Sequence, residues 1–264
     1  MSKQKFMLQH MTWKEVDEAF KKDPVILIPL GSMEVHGPQS IVGDYIAAEE
    51  AAKTIAQKSG SYTMPVIPFG HSEYFRGFPG TISFSPETFT AVITDVFQNL
   101  MEHGIRKIVV VNGHAGNVPM LEMFGRKLRR EKKLLFARFD IWQVLTSEMK
   151  KEFYGDRAPE IMGHGGEPVT SVMHYLRPDE MRPDLVGPKD RIQEWRGIKM
   201  NHLNRTTIAE QEVTFYWDFE DLTPQGTLGD PLFGNAQLGE KIFNRMVEVG
   251  CAVVDVMKKT SMEL

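Results

Sequence analysis

The sequence predicts an α/β fold with a mostly parallel central sheet, and three observations carry that expectation. Short apolar runs alternate with helix-period segments, the pattern of successive βα units. The runs are continuously apolar rather than alternating, as in strands buried on both faces. Glycine-rich polar motifs follow two of these runs, where open α/β sheets present their ligands.

Taken in order, Thr12 is a suitable N-cap for an amphipathic helix over 13–20. The run at 24–30 reads as a buried strand, 45–57 as the next helix, and Val66, Ile67 and Pro68 as the end of a second strand. Ser85, Pro86 and Glu87 form a helix start, with a capping serine, proline at the first helical position and an acidic first turn. That helix is expected to run to about Glu102 and stop at Gly104. Strands follow at 108–111 and 134–139, and a long helix over 236–258 closes the chain. The stretch 177–212, rich in prolines and charges, reads as an irregular insertion or subunit-contact segment. At 264 residues the whole of 1–264 is expected to form one domain.

A formal charge of −4 argues against nucleic acid or an anionic membrane as the main partner, because both require a basic face. No secretory apolar region follows Lys3 and Lys5, and the run at 25–30 is far too short to span a bilayer. The single cysteine, Cys251, excludes an internal disulfide. A soluble, cytoplasmic protein acting on a small molecule is the expectation.

Three constellations carry chemistry. In Gly31-Ser32-Met33-Glu34-Val35-His36-Gly37-Pro38, extended backbone lets Glu34 and His36 face one point, and the nearby glycines allow Asp44 to join them. Two carboxylates and an imidazole form a borderline-hard ligand set suited to zinc, manganese or iron. In Asn112-Gly113-His114-Ala115-Gly116-Asn117, His114 stands at the end of a buried strand with glycine close on both sides. In Gly163-His164-Gly165-Gly166-Glu167, a histidine and a glutamate open a short helix, and the histidine can titrate near neutrality. Taken alone, the first motif also fits a capped polar turn, the second a histidine satisfied by loop carbonyls, and the third a glycine-rich helix start with an incidental histidine; three at element boundaries support one another. No dinucleotide fingerprint, phosphate-binding loop or nucleophile elbow competes. His71, His103, His174 and His202 lack such settings and are expected to be structural or exposed.

These motifs resemble the creatininase family along nearly the whole chain. Residues 31–38 are similar to its G-S-x-E-x-H-G-P opening, Gly43-Asp44 to the following G-D, and 78–83 to F-P-G-T-[IL]-S. Residues 112–117 are similar to N-G-H-x-x-N, 164–171 to H-[AG]-G-x-x-E-T-S, and 229–231 to a late G-D-P. The resemblance implies a three-layer α/β/α sandwich, a homo-oligomer of the hexameric kind, and one or two divalent metals per chain. It places Glu34 and His114 on one metal, His36 on the other, Asp44 between them, and His164 as the catalytic histidine. Two ions roughly 3.5–4 Å apart activate a water against a carbonyl, and His164 would deliver a proton to the leaving group.

The chain departs from the family pattern at three places. Gly116 stands where the creatinine-cleaving members have glutamate, Val169 replaces the glutamate before T-S, and Tyr74-Phe75 replaces an E-H pair. Glu167 is therefore the expected last ligand and a catalytic candidate, while Ser83, Tyr74, Gly165 and Gly166 are the expected substrate contacts. The resemblance implies an amidohydrolase cleaving a C–N bond of a small polar cyclic substrate. Its alternative is a hydrolase opening an oxidised inositol ring at a C–C bond, of the 3-dehydro-scyllo-inosose type. A rival of another class is a non-catalytic scaffold of the same fold.

Overall fold

The structure, a computed structural model, describes residues 5–188, 192–200 and 203–261. Helix α1 (Trp13–Phe20) begins in a reciprocal cap: Thr12 Oγ1 accepts from the Glu15 amide, and the Glu15 carboxylate accepts from the Thr12 amide. Next come β1 (Val25–Leu30), α2 (Tyr45–Ser59), β2 (Tyr62–Thr63), α3 (Pro86–Glu102), β3 (Lys107–Asn112), α4 (Val118–Lys132) and β4 (Ala137–Asp140). Then follow α5 (Ser147–Tyr154), α6 (Ala158–Ile161), α7 (Val169–Leu176), two short antiparallel pairs and α8 (Ala236–Lys259).

The four strands form one parallel sheet in the order β2-β1-β3-β4. β1 is buried at every position and β3 at every position but Lys107, which accounts for their unbroken apolar runs. Each buried Val, Ile or Leu side chain contributes about 1.5–3 kcal/mol.

The strand order also sorts the helices. The chain moves from β1 to β2 through α2, then back past β1 to β3 through α3, and onward to β4 through α4. Right-handed crossovers therefore place α2 on one face and α3 with α4 on the other. α8 packs on α2 and α7 and touches β1, β3 and β4, completing the first helical layer. The result is the expected α/β/α arrangement. Among the described residues no helix is long and apolar enough to cross a membrane.

Several elements differ from the pattern-based expectation. The second strand is only Tyr62–Thr63, and Ile67 keeps a single bridge to Leu30, because Pro65 and Pro68 donate no hydrogen bond to a ladder. The fourth strand pairs from Ala137 rather than from 134. Helix α4 is an addition: Met120, Leu121, Phe124 and Leu128 bury one stripe, but the charged remainder masks that period in the sequence. The described part of 177–212 holds 3-10 turns and two small antiparallel pairs, β5 (Glu194–Trp195) with β6 (Ile198–Lys199) and β7 (Arg205–Ile208) with β8 (Gln211–Thr214). Beside it, Val35, Phe75, Trp217, Phe219 and Leu222 form a second apolar cluster, next to the polar site described below.

Candidate metal centre at the switch point of the sheet

β1 and β3 are neighbours whose onward connections leave in opposite directions, which makes their carboxyl ends the switch point where open α/β sheets bind ligands. The loop after β1 carries Glu34 and His36, the start of α2 carries Asp44, and the loop after β3 carries His114. All four are buried, with exposures of 1 %, 3 %, 2 % and 3 %. His114 Nδ1 lies 2.9 Å from Glu34 Oε2 and 3.3 Å from Asp44 Oδ2, and His36 Nε2 lies 3.6 Å from Glu34 Oε1.

Two overlapping trios result. Glu34, Asp44 and His114 form one; Glu34, His36 and His164 form the other; within each, the ligand-capable atoms lie within 4.8 Å of one another. Glu34 belongs to both trios, and Asp44 to the first.

Backbone carbonyls orient every imidazole. His114 Nε2–H donates to the His71 carbonyl at 2.9 Å, which leaves Nδ1 facing the carboxylates. His36 Nδ1–H donates to the Glu34 carbonyl at 3.2 Å, freeing Nε2. His164 Nε2–H donates to the Val35 carbonyl, freeing Nδ1. Such outer contacts select the tautomer that a ligating histidine needs. The carboxylates are held as well. Asp44 occupies the N-cap of α2 yet does not cap it; its Oδ1 accepts from the Ser32 amide at 2.7 Å. Glu34 Oε2 accepts from Ser72 Oγ at 2.7 Å, and that hydroxyl also meets Ser32 Oγ and His114 Nε2.

The electrostatics follow from burial. Burial opposes the charge on Glu34, but His114, then His36 and His164, hold its pKa down at about 2. Burial and the neighbouring Glu34 push Asp44 up to about 6. Burial lowers His114, yet Glu34 and Asp44 outweigh it and raise its pKa well above 6.5. Protonated His114 thus stands in for a cation between two buried carboxylates, which are paired with imidazoles rather than lysine or arginine. Buried carboxylates are costly unless compensated, and a divalent ion compensates both at once. The carboxylate-imidazole donor set suits such an ion.

The other expected residues divide. His164 joins the second trio, stacked on His36 at 4.7 Å and on Phe75 at 4.2 Å, with Phe219 edge-on. Burial and His36 push it down to about 3, so it stands neutral with its Nε2–H engaged by the Val35 carbonyl. Tyr74 lies beside the first trio, its ring 6.5 Å from that of His114; burial, then Glu34 and Asp44, keep its phenol protonated.

Glu167 is not brought to the centre. It is 1 % exposed, but its carboxylate accepts from the Ser171 amide at 3.0 Å and from the Tyr154 hydroxyl at 3.3 Å, so it secures the first turn of α7. Ser83 is also engaged elsewhere: its Oγ accepts from the Ser72 amide at 2.9 Å and donates to the Phe84 carbonyl, so it places Ser72 rather than a substrate. Gly165 and Gly166 leave no open space. A Cβ on Gly165 would meet the Thr227 methyl and the Gly226 carbonyl, and one on Gly166 would meet the Ile161 carbonyl and Gly229.

Gly116 has a similar explanation, since a Cβ there would strike the His71 carbonyl and His114 Nε2, the pair that fixes the His114 tautomer. His71 contributes through its backbone, as expected of a structural histidine; His202 lies outside the described residues. Pattern reasoning missed Ser72, for which the sequence holds no signal, and Asn117, which was visible in the N-G-H-x-x-N motif. Asn117 starts α4 without capping it, and its amide joins Gly31, His71 and Asn112.

A creatininase family profile, described as creatinine amidohydrolase, matches residues 9–254. The chain is 30 % identical to the creatinine amidohydrolase of Pseudomonas putida, over 70 % of this chain and 77 % of that one. It is 34 % identical to the 3-dehydro-scyllo-inosose hydrolase of Thermotoga maritima, over 76 % of this chain and 67 % of that one. Its fold is similar to a creatininase solved in a manganese form, with a TM-score of 0.75 at 24 % identity, covering 97 % of this chain and 98 % of that one.

Proposed function

The chain belongs to the creatininase family of hydrolases, and from that premise we propose that it is a metal-dependent enzyme hydrolysing a carbonyl-bearing bond of a small polar cyclic substrate. Cleavage of a C–N bond, as in an amidohydrolase, is the first reading. The observation that carries it is the pair of trios sharing Glu34 at the switch point, every member buried except the partly exposed His164. Glu34, Asp44 and His114 would hold one divalent ion, and Glu34, His36 and His164 a second. Bound there, such ions supply Lewis acidity, lowering the pKa of water and polarising a carbonyl oxygen.

The chain's own residues do the rest. Ser72, Ser32 and the carbonyls of residues 34, 35 and 71 keep the ligand atoms aimed. Tyr74, a protonated phenol beside the first trio, is suited to donate a hydrogen bond to a substrate oxygen. Phe75 stacks on His164 and Phe219 meets it edge-on, so apolar rings hold that imidazole in place. Zinc or manganese suits the donor set. A hexameric assembly and a cytoplasmic setting are further proposals, supported by the family resemblance and by the lack of a spanning helix among the described residues.

A second reading is ring opening of a cyclic polyol ketone at a C–C bond. It is favoured by the 34 % identity to the Thermotoga hydrolase and by the departures at Gly116 and Tyr74 from the creatinine-cleaving pattern. The test is hydrolysis of a panel of cyclic amides and cyclic polyol ketones by metal-loaded and chelator-treated protein. Metal-dependent turnover of an amide supports the first reading, and turnover of a ketone alone supports the second. Turnover that survives complete metal removal would sink both.

A further inference from the structure

We propose that the concavity between the second half of α4 and strand β4 is a binding site for a small organic phosphate. It lies around the start of β4, whereas the candidate metal centre lies at the carboxyl ends of β1 and β3, so the two sites stand or fall separately.

The charge pattern is legible in the sequence. Residues 126–133 hold six lysines and arginines against the single Glu131, in a chain whose formal charge is −4. Arg126, Arg129, Arg130 and Lys133 follow the i, i+3, i+4, i+7 spacing of one helix face, while Leu121, Phe124 and Leu128 bury the other. Strand β4 brings Arg138 to the same concavity, whose volume of about 510 Å³ is that of a small-molecule site. Glu122 is its one acidic member among the described residues, and it is already paired with Arg126 at 2.8 Å. The floor is apolar. Leu121 and Leu134 are buried there, and Phe136 lies so close to Gly125 that a Cβ would meet its ring.

Helix-end electrostatics explain only part of this cluster. Cations in a last turn favour the macrodipole, and Arg129, Arg130 and Lys132 stand there. Arg126 comes earlier and Arg138 belongs to another element, yet both line the same space. Lys133 is the clearest exception. It closes α4 in the left-handed region, at φ 57°, where glycine is the ordinary residue. A lysine there destabilises the helix end, and what it adds is a cation lining the concavity. Sequences keep such local violations at functional sites. The arginines are also pre-oriented. Arg126 Nε donates to Glu122 at 2.8 Å, Arg138 Nε to Asp140 at 3.0 Å, and Arg129 Nη1 to the Lys133 carbonyl at 2.9 Å. Each guanidinium is held by part of its fork, and such planar forks match phosphate oxygens. A cationic rim over a small apolar floor fits a phosphate group carried on a compact organic body. Nucleic acid would need an extended basic track instead.

The experiment titrates the purified full chain with ADP by calorimetry, for wild type, Lys133→Gly and Arg126→Gln, with Tm recorded without ligand. Wild type is expected to bind ADP with an affinity that falls as salt rises. Lys133→Gly should weaken binding about 10-fold, the usual effect of losing one charged hydrogen bond, while Tm holds or rises because glycine suits the left-handed helix end. Arg126→Gln, at an exposed helix position, should weaken binding by a similar factor and leave Tm unchanged. A wild type that binds no ADP overturns the proposal. So does binding that both variants leave unchanged, since ADP would then sit elsewhere on the chain. Loss of ADP binding and Tm together in Lys133→Gly, with Arg126→Gln binding normally, would show that the lysine serves the fold alone. Displacement of ADP by a much lower concentration of single-stranded DNA would make this face a nucleic-acid surface and overturn the proposal as well.

Discussion

His114 Nδ1 lies 2.9 Å from Glu34 Oε2, a contact that ties the loop after β3 to the loop after β1 across the switch point of the sheet. Glu34 reaches His36 as well, at 3.6 Å, and is the one carboxylate common to both trios. The two buried acids should therefore not be equivalent. Glu34→Gln is expected to lose both ions, and Asp44→Asn chiefly the ion shared with His114. Metal content by elemental analysis checks this; normal content in Asp44→Asn would remove it from the ligand set.

His164→Ala should lose one ion and, with it, roughly 10²–10⁴-fold in turnover, the range for groups that act directly in proton transfer or at the reacting centre. The free Nδ1 of a neutral ring beside Glu34 and His36 motivates the expectation of ligation. Full metal content with the same fall in kcat would return His164 to proton transfer alone.

The stability of the metal-free protein should fall as pH rises from about 6.5 to 8; below 6.5 the depressed His164, at about 3, acts in the opposite sense and offsets the loss from Asp44. The folded state holds the proton of Asp44 up to about 6, against an ordinary value of 3.8, so that stabilisation is lost as pH climbs between the two. His114, raised well above 6.5, stabilises fully below that pH and loses its contribution as its proton leaves. Glu34, lowered to about 2 from 4.5, acts in the opposite sense but only at lower pH. A bound divalent ion replaces the His114 proton, so the Tm gap between loaded and metal-free protein should widen with pH. Thermal melts across this range, with and without manganese, decide; a constant gap contradicts the assignment.

Gly116→Glu restores the glutamate of the creatinine-cleaving members but should not rebuild a ligand. Its Cβ would meet the His71 carbonyl and His114 Nε2. We expect a loss of about 1–3 kcal/mol from overpacking and weaker metal binding through a displaced His114. An unchanged Tm with tighter metal binding would show that the loop accommodates the side chain.

Glu167→Gln should leave metal content unchanged. Burial raises the pKa of Glu167, and an amide still accepts from the Ser171 amide. Glu167→Ala should cost about 1–3 kcal/mol by leaving buried donors unpaired. Chemical denaturation distinguishes the two variants, and metal loss in Glu167→Gln would place this residue at the centre after all.

The sequence by itself determined the parallel sheet and the ligand types. The unbroken apolar runs of β1 and β3 reflect burial on both faces, and the Glu34, His36, Asp44 and His114 motifs follow directly on strands or open a helix. Those signals are local, because strand period, helix caps and i, i+2 spacing all act over a few residues. Only the tertiary structure shows which of these groups meet. That Glu34 belongs to both trios and Asp44 to one depends on where two loops converge beyond neighbouring strands, which no single segment encodes. Glu167 shows the same limit. Its place beside the glycine-rich motif fits a ligand as well as a helix anchor, and only the fold, which sets its carboxylate on the Ser171 amide and on the Tyr154 hydroxyl of α5, made it the anchor. Ser72 became visible for the same physical reason. A hydrogen bond requires two partners within about 3 Å, and its partner Glu34 comes from a segment far away along the chain.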